Sequence, residues 1–136
     1  MNEKQITIEK LQDALSRIES KENGIYFTPP LCVNSNINLL KPYMDKIELL
    51  EMDATVAASH IPDQSLDYIF IDGDHSYSAV VRDLDNYWDK VRTGGIFAGH
   101  DWNLPAVNQA VNEFRQKNNI TSEIRFTQSN VWFWYK

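Results

Sequence analysis

The chain has 136 residues, of which 43% are hydrophobic and 24% charged, which predicts a single globular domain with a sizeable core. A net charge of −6 argues against a nucleic-acid partner, because phosphate binding requires a basic face. We find no apolar run typical of a signal peptide or a membrane span, and the single cysteine, Cys32, excludes an internal disulfide. A cytoplasmic protein without a membrane partner is therefore expected.

The first half of the chain alternates predicted helices and strands. Apolar residues at helical spacing predict an amphipathic helix over residues 7–22. A short strand fits within residues 24–32, where Pro29 and Pro30 end it or confine it to a sheet edge. The remaining elements of this half are a short helix that begins at Ser35 or Asn36 and is broken by Pro42, a strand over 46–53, and a loop or short helix over 54–64.

The second half gives the clearest patterns. Residues 66–71 predict a strand whose apolar run 68–71 has no polar face, so both of its faces must be covered, as in a parallel sheet between helices. Residues 76–91 predict an amphipathic helix, and Gly94–Gly95 predicts a turn into a strand over 96–98. The polar face predicted for this helix contains Arg82, Asp83, Asp85 and Lys90.

The end of the chain predicts a helix and then a hairpin. Residues 107–114 have helical spacing, with Pro105 suited to the first turn, and the segments 123–127 and 131–135 flank a polar turn. The whole pattern predicts an α/β, doubly wound, mostly parallel sheet with an antiparallel hairpin at its edge. Strands near 47–52, 66–71 and 95–99 are expected to be parallel neighbours. The alternating aromatic residues 132–135 favour a core or subunit-interface position over a stacking platform.

Acidic and imidazole side chains follow two of these strands. Asp72, Asp74 and His75 come directly after the strand 66–71, and His100 and Asp101 follow the next strand. Ligands bind at the carboxyl ends of the strands in open α/β sheets, so these residues are expected to converge on one site. Carboxylates and imidazoles together suit Mg²⁺ or another divalent cation.

The plainer interpretation is that Asp72 and Asp101 cap the helices that follow, with both histidines hydrogen-bonded locally or in solvent. Asp74 could simply fix the tight turn after Gly73. His60 has no partner residue in the sequence pattern, and we expect no functional role for it.

From about residue 33 to 136 the chain resembles the class I methyltransferases that use S-adenosylmethionine (SAM). The resemblance is strongest to the branch of macrocin-type sugar O-methyltransferases and cephalosporin hydroxylase-like proteins. It rests on four segments in the family's order and spacing, namely IDGDHSY (71–77), AVVRDLDNYW (79–88), GGIFAGHD (94–101) and AVNEF (110–114).

This resemblance implies a Rossmann-like fold and a metal-assisted O-methyltransferase acting on a small or sugar-like acceptor. By position, Asp72 and Asp101 become ligands of Mg²⁺ or another divalent cation, His100 a third ligand, and His75 the catalytic base. Asp53, with Ala54 beside it, inherits the contact with the adenine of SAM; otherwise Asp53 only caps the next turn. Imidazole is a suitable proton acceptor near neutral pH, so the role of His75 is chemically reasonable.

The chain departs from the family in its first half. Class I methyltransferases begin with a strand and a Gly-rich turn, whereas this chain has only Gly24 before Asp72 and no G-x-G pattern. The pattern is that of an N-terminally truncated fold, whose exposed sheet edge would favour a homo-oligomer. The alternatives are therefore a non-catalytic remnant, a half-domain completed by a partner, or a metal-dependent hydrolase that uses the same side chains on water.

Overall fold

The computed structural model describes residues 25–27, 42, 45–50 and 52–136. The chain divides into two compact units, Met1–Glu51 and Met52–Lys136. The helix predicted over 7–22 and the short helix predicted before Pro42 lie outside the described residues. Organisation as a single domain stays a prediction. No helix among the described residues is long and apolar enough to cross a membrane.

The first unit contains a two-stranded parallel sheet. Strand β1 spans Ile25–Phe27 and pairs with strand β2, Ile47–Leu49, so that Ile25 lies opposite Ile47. Both strands fall inside the ranges predicted for them and are shorter. That strand 47–52 neighbours strand 66–71 stays a prediction, because the two strands belong to different units of the chain.

The second unit contains a four-stranded mixed sheet with three helices. Strands β3 (Leu66–Ile71) and β4 (Val91–Gly99) are parallel neighbours, as predicted, and β6 (Trp132–Tyr135) pairs antiparallel with both β4 and β5 (Arg125–Phe126). The spatial order β3-β4-β6-β5 confirms the α/β class with a terminal antiparallel hairpin. In chain order the elements are α1 (Ala54–Ser59), β3 (Leu66–Ile71), α2 (Tyr77–Tyr87), a 3₁₀ turn (Trp88–Lys90), β4 (Val91–Gly99), α3 (Pro105–Lys117), β5 (Arg125–Phe126) and β6 (Trp132–Tyr135).

Strand β4 is longer than the sequence predicted, since Gly94 and Gly95 lie within it instead of forming a turn before it. The pairing shifts between Leu66 opposite Val91 and Tyr68 opposite Ile96, which places the two glycines in a bulge. Gly94 has a φ of +81°, a conformation that glycine adopts without steric cost. Its N–H donates to the carbonyl of Lys136 at 2.7 Å, so the bulge is held by the end of the chain.

An aromatic core joins the sheet to the helices. The Phe97 ring lies 5.4 Å from Trp134, 5.3 Å from Trp88 and 6.2 Å from Phe114 between ring centroids. Trp132 and Trp134 are fully buried, which confirms a core position for the inward-facing residues of β6, whereas Tyr135 is exposed. Rings at these separations in tilted or offset arrangements add to the stability gained from burial alone.

The end of β4 has no room for a side chain. A Cβ atom on Gly99 would lie 2.2 Å from the Trp132 ring and 2.8 Å from the carbonyl oxygen of Ile71. Gly99 pairs with Trp132 across the antiparallel ladder, so the indole ring fills the space that a side chain would occupy.

We expect Gly99→Ala to lower the free energy of unfolding by about 1–3 kcal/mol, because an extra methyl group overpacks a buried site. Gly73→Ala is the matched control, since its Cβ would meet Asp83 at an ordinary contact distance of 3.5 Å. Urea unfolding of both variants measures the difference. Equal effects would show that the Gly99–Trp132 contact is not a packing constraint.

Helix α2 buries an acidic residue. Asp83 is 8% exposed, which corrects the prediction that it lies on the outer face of the helix. Its position falls within the stripe formed by Val80, Leu84 and Tyr87, which is the inward face. Burial raises the pKa of the Asp83 carboxyl, while Arg82 partly opposes that shift. Its Oδ1 atom accepts no hydrogen bond from any described residue. The Arg82 Nε atom lies 3.9 Å from this oxygen, which is beyond hydrogen-bond distance.

Replacing Asp83 by Asn should therefore change how stability depends on pH. The folded pKa lies above the unfolded value, so the folded state binds more protons and the wild-type protein loses stability as pH rises from about 4 through the raised pKa. The difference in free energy of unfolding, Asp83→Asn minus wild type, should be more positive at about pH 7 than at about pH 4 when both are measured by urea unfolding. The exposed Asp85→Asn on the same helix is the matched control, and a constant offset for Asp83→Asn would contradict the prediction.

Candidate active site

The parallel register of β3 and β4 fixes where the two polar clusters meet. Ile71 pairs with Gly99, so Asp72 and His100 leave the two strands at the same level. The backbone N–H of His100 donates to the carbonyl of Ile71 at 3.0 Å, which extends the ladder by one more bond. The predicted convergence of these residues at the carboxyl edge is therefore present in the structure.

Asp101 lies at the centre of the cluster. Its Oδ2 atom is 2.9 Å from His75 Nδ1, and its Oδ1 atom is 3.0 Å from His100 Nδ1. Its backbone has a φ of +63°, a left-handed conformation that costs on the order of 1 kcal/mol or more for a residue other than glycine. The carbonyl of Asp101 accepts a hydrogen bond from Leu104 N–H at 2.9 Å, which stabilises the turn.

Three side chains have the arrangement expected of metal ligands. One ligand atom each from Asp72, His100 and Asp101 can be chosen so that all lie within 4.8 Å of one another. The His100 Nδ1 atom is 4.0 Å from Asp72 Oδ1. Around an octahedral cation with bonds near 2.1 Å, ligand atoms are separated by roughly 3 to 4 Å, so small side-chain rotations would bring the three onto one ion.

The cluster forms the wall of a shallow depression that opens to solvent. Its floor is apolar, and it is lined by Ile71, Val80, Val107 and Trp132. The indole N–H of Trp132 donates to the carbonyl of His100 at 3.0 Å. Polar groups at the rim of an apolar floor are typical of sites for small molecules.

Two more carboxylates are held by backbone N–H groups. Asp74 accepts a hydrogen bond from the N–H of Ser76 at 2.8 Å, so it does fix the turn after Gly73, and this bond lowers its pKa. Asp53 caps helix α1 by accepting from Thr55 N–H at 2.8 Å, which lowers its pKa as well. Both carboxylates are therefore ionised near neutral pH.

The residues predicted to bind the cofactor have structural partners of their own. Asp53 is exposed and makes the capping bond that the plainer interpretation expects. The carbonyl of Ala54 accepts the hydroxyl of Tyr87 at 2.7 Å. Contact of either residue with SAM stays a prediction. His60 is exposed at the end of α1 and is not part of the metal-ligand cluster.

Sequence reasoning missed the carboxylate that lies beneath the site. The Oδ2 atom of Asp83 is 3.5 Å from the position that a Cβ on Gly73 would take, so Asp83 lies under the loop between Asp72 and His75. The signal was its spacing from Val80, Leu84 and Tyr87, which assigns it to the apolar stripe of α2.

Several solved structures with a similar fold are methyltransferases. The O-methyltransferase NovP superposes with a TM-score of 0.71 at 16% identity, covering 93% of this chain and 65% of NovP. A SAM-dependent O-methyltransferase from Thermotoga maritima gives a TM-score of 0.65 at 12% identity, with 92% of this chain and 54% of that chain covered. A SAM-dependent methyltransferase from Aquifex aeolicus gives 0.58 at 14% identity, with 94% and 76% covered.

These likenesses establish the fold, and this chain spans about two thirds or less of the length of NovP and of the Thermotoga enzyme. None of the curated proteins matches the chain. The family described as "Methyltransferase domain" matches residues 6–102, which is more than half of the sequence. With the strand order and the carboxyl-end cluster described above, this match establishes that the chain belongs to the methyltransferase-domain family.

Proposed function

We propose that the chain houses a SAM-dependent O-methyltransferase site that uses a divalent cation and acts on a small or sugar-like acceptor. One observation supports this above the others. Ligand atoms of Asp72, His100 and Asp101 approach one another at the carboxyl ends of two paired strands, and His75 contacts the same carboxylate of Asp101. The family match supplies the type of reaction, and this cluster supplies groups suited to it.

Methyl transfer to a hydroxyl group requires a proton acceptor. The acceptor oxygen forms a bond to the methyl carbon while the carbon–sulfur bond of SAM breaks, S-adenosylhomocysteine leaves, and the hydroxyl proton is released. A base near neutral pH therefore has to lie beside the acceptor oxygen.

His75 is suited to accept this proton at Nε2. Its Nδ1 atom is 2.9 Å from the Asp101 carboxylate, which orients the ring and favours the tautomer with the proton on Nδ1. The lone pair of Nε2 is then available to the hydroxyl. The His75 side chain is 53% exposed, so an acceptor can reach it.

Asp72, His100 and Asp101 are the residues that would hold the cation. Two carboxylates and one imidazole suit Mg²⁺ or Mn²⁺ and also tolerate Zn²⁺ or Fe²⁺. A cation bound there would lower the pKa of a coordinated hydroxyl and so ease its deprotonation. The chain's own part is to present the ligands from two rigid strand ends.

A second candidate function is a non-catalytic relative, or a half-domain completed by a partner. The sequence favours it because no G-x-G pattern is present, and glycine is what allows a backbone turn to approach SAM closely. Binding of SAM separates the two candidates.

We expect SAM to bind the full chain with one-to-one stoichiometry and a dissociation constant on the order of micromolar, about −8 kcal/mol, in isothermal titration calorimetry. Asp53→Asn keeps the helix cap but removes the charge, and should weaken binding by roughly tenfold if the carboxylate accepts a hydrogen bond from the adenine. Asp63→Asn, at an exposed residue before the amino end of β3, is the control. Absence of any binding heat with and without Mg²⁺ would favour the non-catalytic relative.

A divalent cation should raise the melting temperature, because a ligand that binds only the folded state stabilises it. At a hundredfold excess over the dissociation constant the gain is about 2.7 kcal/mol. Asp72→Asn should abolish most of this gain, because the neutral amide keeps the shape but loses the charge. Asp85→Asn, which changes an exposed residue of α2, should leave it intact.

Thermal melts with Mg²⁺, Mn²⁺ and Zn²⁺ make this measurement. Should none of the three shift the melting temperature, the cluster is a set of hydrogen-bonded side chains and the metal-assisted mechanism is wrong.

A further inference from the structure

An aromatic pair lies beside the candidate site, in which Phe126 is exposed and Trp102 is partly buried. Their ring centroids are 4.7 Å apart with an interplanar angle of 45°, and Phe126 is 50% exposed. The buried rings of β6 account for the aromatic core, so this pair is a separate feature. The exposed Phe126 ring packs on the partly buried Trp102 ring, so the two form a small apolar surface of the kind that marks binding sites.

The pair is joined to the site by covalent structure and by strand register. Trp102 directly follows Asp101, and its N–H donates to the carbonyl of Asn130 at 3.1 Å. Phe126 pairs across the hairpin with Trp132, which lines the floor of the site and bonds to the His100 carbonyl. The two rings are therefore held next to the metal-ligand cluster by the same loop and hairpin that shape it.

The chemistry of the neighbouring groups selects an occupant. Asp72, Asp74 and Asp101 put carboxylates at one end, which suit hydroxyl groups. With a divalent cation held by Asp72 and Asp101, the ionised Asp74 still leaves this end negative, which disfavours an anionic acceptor. Trp102 and Phe126 put ring faces at the other end, which suit a ring with an apolar face. A neutral ring that bears neighbouring hydroxyl groups satisfies both ends.

We infer that Trp102 and Phe126 form the acceptor-binding platform of this site and determine its specificity for a neutral, hydroxylated ring. The inference rests on the proposed function for the identity of the acceptor, but it concerns binding and is testable without methyl transfer. Saturated sugar rings and catechol rings share this chemistry, since each offers an apolar face and vicinal hydroxyls.

Saturation-transfer NMR on the full chain tests the platform with two probes, catechol and methyl β-D-glucopyranoside. Trp102→Leu and Phe126→Leu should each reduce the signal of the responding probe by about threefold or more, because an aliphatic side chain offers no ring face. Trp102→Phe retains a ring face and should keep most of the signal. Tyr135→Leu is the matched control, since Tyr135 is 47% exposed on the same hairpin and pairs with Ile96, three residues before Gly99.

Each outcome is decisive. Response to catechol alone assigns a phenolic acceptor, and response to the glucoside alone assigns a sugar. No response to either probe, unchanged signals in Trp102→Leu and Phe126→Leu, or an equal loss in Tyr135→Leu would overturn the inference. A signal from 3,4-dihydroxybenzoate equal to that from catechol would overturn the preference for a neutral ring.

A second variant and a separate SAM-binding measurement distinguish a folding defect, a failed platform and a failed methyltransferase function. Phe126→Leu changes an exposed residue of a two-residue strand, so it decides the question if Trp102→Leu fails to fold. If the wild-type chain binds SAM but neither ring probe, only the platform is contradicted. If the wild-type chain binds a ring probe but not SAM, only the methyltransferase function is contradicted.

Discussion

The close contact between Gly99 and Trp132 is the constraint on which the site depends. Because Gly99 has no side chain, the indole ring of Trp132 lies directly against the end of β4 and its N–H reaches the carbonyl of His100. The same ring is fully buried in the aromatic core and lines the floor of the depression. Core packing and site geometry are therefore set by one residue pair, and a change in the first is transmitted to the second.

From that fixed strand end the chain turns sharply, and the turn is what places Asp101 between two imidazoles. The positive φ of Asp101 has an energetic cost, which its contacts with His75 and His100 and the Leu104 hydrogen bond offset. One carboxylate thus orients the proposed base and takes part in the proposed metal site. The two roles are compatible because they use different oxygen atoms of the same group.

The sequence predicted this part of the molecule well because its signals are local. Residues 66–71 form a strand with the predicted bounds, since the apolar run 68–71 has one favourable arrangement in a covered sheet. The positions of Asp83 and of Gly94–Gly95 were missed for a different reason. A single buried acid is decided by what packs against its helix, and a bulge is decided by the partner strand and the chain end that bonds to it.

The residues proposed for hydroxyl deprotonation are better supported by the structure than the residues proposed for cofactor binding. Hydroxyl deprotonation depends on groups at the ends of β3 and β4, all of which belong to the second unit and contact one another. Cofactor binding in this fold depends on the first strand and its glycine turn, for which the sequence offers no G-x-G pattern. Among the described residues, Asp53 and Ala54 are the ones that the family resemblance predicts to contact the cofactor. The acceptor half of the site can therefore be intact whether or not SAM binds, so the two halves require separate measurements.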